Sequence, residues 1–196
     1  MELLYEVKMR AIVVILILIL SVLQVQGASA WSVKNHHDIA EKVYSEMPPD
    51  VRDRMNLDEM KNGADDPDTV FLDFRYHVYP YNLEKANFWL NQGKLSYDAG
   101  NYRYASYCYG VASHYISDGI CGPHTSSGSS RYLHTLYEIR AILLEPHMVA
   151  VDGDQSLEAE GLWRAWVMDG DDSHISEALD LACSVSYQQI MSSIES

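Results

Sequence analysis

Apolar residues recur along this chain at helical spacing, and no long β-branched alternations flank Asn-Gly or Asp-Gly turns, so the pattern predicts an all-α fold. Ile39, Ala40 and Val43 mark the inner stripe of a first helix running from His36 towards Met47, with Asn35 as its expected N-cap and Pro48-Pro49 as its stop. A shorter helical stretch follows Pro49-Asp50, after which Gly63 and Asp65-Asp66-Pro67-Asp68 read as an acidic loop. Helices are expected over 83–99, broken at Gly100, and over 102–120. A Gly- and Ser-rich loop over 121–130 leads to a helix from Tyr132 to about Leu144, and two more follow over 157–167 and 175–194. With no internal repeat, residues 31–196 read as a single multi-helix domain.

The N-terminus follows a different pattern. Lys8 and Arg10 precede an apolar run over 11–20, and the stretch ends in Ala28-Ser29-Ala30, which is the organisation of a secretory signal peptide covering residues 1–30. Cleavage after Ala30 would make Trp31 the new N-terminus and place the protein outside the cytoplasm, secreted or extracytoplasmic. Extension of the run through Val22 and Leu23 leaves an uncleaved N-terminal anchor as the alternative.

Composition narrows the chemistry. Apolar residues make up 47%, enough for a folded core. Lys+Arg number 14 against 28 Asp+Glu, a formal charge of -14, which argues against sequence-specific or charge-driven nucleic-acid binding and disfavours docking on anionic lipid. Cys108, Cys121 and Cys183 form no C-x-x-C pair, so a cysteine zinc site is excluded and at most one disulfide is possible, with its pairing open.

Metal chemistry is carried by other residues. His114 and Asp118 stand four apart on one helix face, as do His134 and Glu138, and an i, i+4 pair of nitrogen and oxygen donors suits zinc. One such pair alone would be an ordinary surface couple. These pairs have company: His124 follows Gly122-Pro123, a rigid turn that can fold the imidazole back towards the helix before it, and His36, His77 and the acidic loop add further donors.

The order of these residues resembles the secreted zinc-dependent phospholipases C, which share a trinuclear zinc site with the single-strand-specific nucleases. The resemblance runs through Gly100-Asn101-Tyr102, Tyr107, Gly110, His114-Tyr115 to Asp118, Pro123-His124, and His134 with Glu138, and members of the family begin, once matured, with a tryptophan, as Trp31 would. It implies three Zn²⁺ per chain. Trp31, through its α-amino nitrogen and carbonyl oxygen, would serve one zinc together with His36 and one oxygen of Asp118. A second would be held by His124, His134 and Glu138, and a third by Asp68, His77, His114 and the other Asp118 oxygen. His37 competes with His36, and Asp65 with Asp68. A chelating terminal amine must be unblocked, so signal removal would also activate the site.

The activity implied is phosphodiester hydrolysis of the phospholipase C type, releasing diacylglycerol and a phosphorylated headgroup by attack of a zinc-bound hydroxide, with Asp68 orienting the water or acting as general base. Three zinc ions would set six positive charges against the chain's -14 and turn an acidic cleft into a phosphate receptor. Substrate contacts fall on Phe74, where such enzymes place an aromatic headgroup contact, and on Lys34, which stands where they carry a choline-binding glutamate; an ammonium there suits an anionic or glycerol-type headgroup instead. The expected partner is a phospholipid or another phosphodiester, met by a monomer in transient contact with a membrane surface. A nuclease or nucleotidase using the same site, and a non-catalytic exported zinc-binding protein, are the alternatives.

Overall fold

The structure, a computed structural model, describes residues 31–125 and 130–196; the expected signal peptide over 1–30 lies outside them. Among the described residues there are nine α-helices and no strand: α1 (Val33–Glu46), α2 (Pro49–Arg52), α3 (Leu57–Asp66), α4 (Asn82–Asp98), α5 (Tyr102–Asp118), α6 (Gly122–Thr125), α7 (Arg131–Ala141), α8 (Gln155–Asp169) and α9 (Ser173–Glu195). No helix among these residues is long and apolar enough to cross a membrane.

The centre is α5, in which every residue from Cys108 to Asp118 is buried. A helix buried all round needs small residues where its neighbours cross it, and the sequence supplies Gly110, Ala112 and Ser113. The crossing with α3 is close: a Cβ on Gly63 would lie 2.1 Å from the Tyr107 carbonyl oxygen, and one on Gly110 would lie 2.0 Å from the Met60 carbonyl oxygen. α4 packs along another side of α5, while α9 covers both and also reaches α1 and α8. At the C-terminus of α4, Gly100 takes a left-handed φ of 74° and its N–H caps the Tyr97 carbonyl, which stops the helix and turns the chain into α5.

Several local expectations are corrected. Gly63 to Asp68 is not a loop: Gly63 to Asp66 complete α3, and the chain continues through a π-helical turn (Pro67–Phe71). A glycine that would break an exposed helix is retained here because only glycine allows the contact with α5. The N-cap of α1 is Ser32, whose side chain accepts from the Asn35 N–H, and Asn35 lies in the first turn. Buried Asn35 donates instead through Nδ2 to the Ala141 carbonyl at 2.9 Å, tying α1 to the C-terminal end of α7. The loop after Cys121 also contains a helical turn, α6, and α7 begins at Arg131 and ends at Ala141. Cys108, Cys121 and Cys183 are three buried free thiols, so the one possible disulfide is not formed.

Candidate metal centre

Six elements deliver donors to one buried region. α1 brings His36; the π turn after α3 brings Asp68; a 3-10 turn (Phe74–His77) brings His77; the end of α5 brings His114 and Asp118. α6 and α7 bring His124, His134 and Glu138. Three groups of donor atoms lie within metal-binding reach of one another: His36, Asp68 and His114; His77, His114 and Asp118; and His124, His134 and Glu138.

Asp118 is the hub. Its Oδ1 lies 3.2 Å from His36 Nε2, while Oδ2 lies 2.7 Å from His77 Nδ1 and 3.1 Å from His114 Nε2. Asp68 Oδ1 is 3.6 Å from His77 Nδ1. On the neighbouring group, His134 Nε2 meets Glu138 Oε1 at 2.7 Å and His124 Nε2 at 3.2 Å.

Proton bookkeeping shows what these distances mean. A backbone carbonyl can only accept, so His114 Nδ1 must donate to the Ala64 carbonyl at 2.7 Å, and His124 Nδ1 to the His77 carbonyl at 2.8 Å. Ser117 Oγ gives its one proton to the His114 carbonyl at 2.9 Å and so accepts from His36 Nδ1 at 3.3 Å. Each neutral imidazole therefore turns a bare Nε2 lone pair into the cluster, against carboxylate oxygens that are themselves acceptors. Among the described residues, His36 Nε2, both oxygens of Asp118 and Glu138 Oε1 are buried with no polar neighbour beyond the facing imidazoles and carboxylates themselves. Converging acceptors at such distances need a positive charge among them, either protons or a metal cation. Imidazoles whose far nitrogen is fixed by a carbonyl or hydroxyl are arranged as metal ligands are.

The protonation equilibria carry the same message. Burial would raise the Asp118 carboxyl, but the His114 and His36 imidazoles outweigh it and hold it well below the usual carboxylate range. Burial lowers His36, with His114 adding to the effect. His114 shares the same carboxylate yet moves upward, because Asp118 overcomes its desolvation. Burial takes His124 down to about 4, so it is neutral at physiological pH, and raises Glu138 against the pull of His134.

The two positions left open in the sequence are sorted by burial. His36 faces Asp118, whereas His37 turns away and pairs with Asp65, 2.8 Å from Nε2 to Oδ1. Trp31 is fully buried; its Nε1 donates to the Ser117 carbonyl at 2.9 Å and its ring lies 5.8 Å from Tyr137, so its indole packs against the C-terminal end of α5. Phe74 is 39% exposed, its ring 5.5 Å from that of His77, and therefore not a core residue. Lys34 is held by Asp38 at 2.5 Å along α1. His147, in the loop after α7, and His174, in the first turn of α9, pair with Asp180 and Asp169 and join none of the three donor groups.

The site also has supports that the spacing of its donors does not predict. Ser117 and the carbonyls of Ala64 and His77 fix three imidazoles. Asp73 stands behind His77, accepting from Tyr115 Oη at 2.8 Å with Lys85 Nζ at 3.0 Å. Tyr107 Oη donates to Asp66 at 2.5 Å and anchors the end of α3 from which Asp68 follows. Backbone carbonyls leave no signature in sequence, but Asp73 four residues before His77 and Tyr115 directly after His114 are signals that could have been read.

The family model described as zinc dependent phospholipase C matches residues 35–195. No curated protein and no solved structure matches the chain.

Proposed function

Because this chain belongs to the zinc-dependent phospholipase C family, we propose that it hydrolyses a phospholipid to diacylglycerol and a phosphorylated headgroup. The observation that carries this reading is the hub at Asp118, where bare imidazole and carboxylate lone pairs converge in a buried space and demand cations. In this reading three zinc ions are held by the nine residues Trp31, His36, Asp68, His77, His114, Asp118, His124, His134 and Glu138. Bound zinc supplies Lewis acidity, acidifying water and drawing charge from a phosphoryl oxygen.

The chain's own residues then divide the work. Asp68 stands on the rim of the cluster, its side chain 12% exposed, and is the carboxylate best placed to orient an attacking water and take its proton. As the bond from that water oxygen forms at phosphorus, the bond from phosphorus to the diacylglycerol oxygen breaks, and that oxygen takes up a proton from Asp68 or from solvent to leave as the alcohol. Phe74 borders the headgroup side. Lys34, half exposed on α1 with its ammonium against Asp38, is the residue that would meet an anionic or glycerol-type headgroup. Export with cleavage after Ala30 would free the Trp31 amine for the cluster and complete its donor set.

Hydrolysis by the chain begun at Trp31, with and without a zinc chelator, tests the reading on dispersed phosphatidylcholine, phosphatidylglycerol and single-stranded DNA. Chelator-sensitive release of phosphorylated headgroup with intact DNA is expected. Cleavage of DNA with intact lipid would transfer the same centre to a nuclease.

A further inference from the structure

The segment between the two metal-facing residues Asp68 and His77 has an unusual outer face. Val70 is 63% and Leu72 57% exposed, two apolar side chains at the tip of a turn. Leu72 is also the one non-glycine with positive φ among the described residues, at 51°. Glycine or asparagine would take that left-handed conformation at less cost, and a polar residue would suit its exposure better. A residue unfavourable on both counts at the edge of a functional centre points to a use for its side chain.

Charge on this face is as selective. The segment's two acidic residues turn inward, Asp68 to the cluster and Asp73 to Tyr115 and Lys85. What remains outside is Arg75, its guanidinium 4.8 Å from the centre of the Tyr81 ring, with Tyr79 and Tyr81 exposed beside it. Arg75 has no carboxylate within ion-pair reach among the described residues, on a chain whose formal charge is -14. An apolar tip flanked by tyrosines and one free cation matches the layering of a lipid interface, with hydrocarbon below, aromatic belt and phosphate above.

We propose that Val70 and Leu72 are an insertion point that seats the metal centre on a zwitterionic phospholipid surface, with Arg75 meeting lipid phosphate. The occupant follows from charge: the acidic chain disfavours anionic bilayers, and one arginine is too little to reverse that. The proposal rests on the phospholipase reading, because continuity of the tip with Asp68 and His77 is what gives docking a purpose.

The test uses the chain begun at Trp31. Its native thiols are buried, so a Val70→Cys variant offers one accessible thiol for an environment-sensitive fluorophore; a Glu177→Cys variant on α9 is the reference. Phosphatidylcholine vesicles are added in the presence of chelator, which makes the readout independent of any hydrolysis. A blue shift at position 70 without one at 177 is expected. No shift at 70, or equal shifts at both, overturns the proposal. Leu72→Asn, which accepts the left-handed backbone, should leave the melting temperature unchanged or higher while raising the half-saturating lipid concentration about tenfold, within what burying one leucine contributes. An unchanged lipid dependence overturns the proposal, as does a dimer that Leu72→Asn dissolves, which would assign the tip to a second copy of the chain. Insertion without lipid hydrolysis would sink the phospholipase reading alone, and hydrolysis without insertion would sink this inference alone.

Discussion

His77 Nδ1 and Asp118 Oδ2 lie 2.7 Å apart, both side chains fully buried, on a 3-10 turn and at the end of the central helix. The contact joins elements far apart in sequence and leaves the carboxylate facing imidazoles on both of its oxygens. A single buried anion shared by His36, His77 and His114 is the feature on which both metal affinity and local stability depend.

Asp118→Asn removes that anion and leaves the ring lone pairs facing an amide. Zinc affinity should fall by roughly 100-fold or more, beyond what loss of an outer support costs. The metal-free chain, in which protons rather than a metal must bridge the rings and the carboxylate, should lose about 3 kcal/mol as well, because an amide cannot balance a buried positive charge. Elemental analysis and urea midpoints read the two effects; a variant with its full zinc complement would refute the hub.

Asp68→Asn separates chemistry from binding. Asp68 sits at the rim of the cluster, so most of the zinc and the melting temperature should survive its substitution. Turnover should drop by about 10² to 10⁴, the usual contribution of a positioned base. Retained turnover would remove Asp68 from the catalytic role.

Acid should weaken the metal-free fold through His124. Its folded pKa, about 4, lies below the ordinary 6.5, so between those values the unfolded chain binds more protons. The stability due to neutral His124 is therefore full above 6.5 and is lost as pH falls towards 4. Between pH 7 and 4.5 this amounts to about 2 to 3 kcal/mol. Other groups titrate in the same range, so the measurement is a difference: urea midpoints of wild type and His124→Gln, whose gap should narrow by that amount in acid.

Most helices were legible because their apolar residues keep a 3.6-residue period, which long-range packing rarely overrides. The exceptions are places where distant contacts decide. Gly63 and Pro67 punctuate the sequence like a loop, yet the Tyr107 backbone close to Gly63 turns the same residues into the end of a helix and a π turn. Asn35 has the chemistry of an N-cap but is taken up by the carbonyl of Ala141, so Ser32 caps instead. At the metal centre, side-chain donors could be read from their spacing. Neither the burial separating His36 from His37 nor the Ala64 and His77 carbonyls that set the tautomers belongs to any local pattern.

Gly63 couples the fold to the site, and paired glycine substitutions expose the coupling. A methyl group at Gly63 would meet the Tyr107 carbonyl oxygen at 2.1 Å, a backbone atom that cannot swing aside. Gly63→Ala must push α3 away from α5, at about 3 kcal/mol or more. The same displacement carries the Ala64 carbonyl away from His114 Nδ1, now 2.7 Å distant, and releases the ring that faces Asp118. Zinc affinity should therefore fall together with stability, although neither Gly63 nor Ala64 offers a side-chain ligand. Gly161, on α8 with open space around it, is the control. There Gly161→Ala should stabilise the chain by about 1 kcal/mol through helix propensity alone and leave zinc binding untouched. Thermal melts and zinc titrations of the two variants should move in opposite directions for stability, with an affinity change only for Gly63→Ala; unchanged zinc affinity in a destabilised Gly63→Ala chain would show that the carbonyl of Ala64 does not hold the ring.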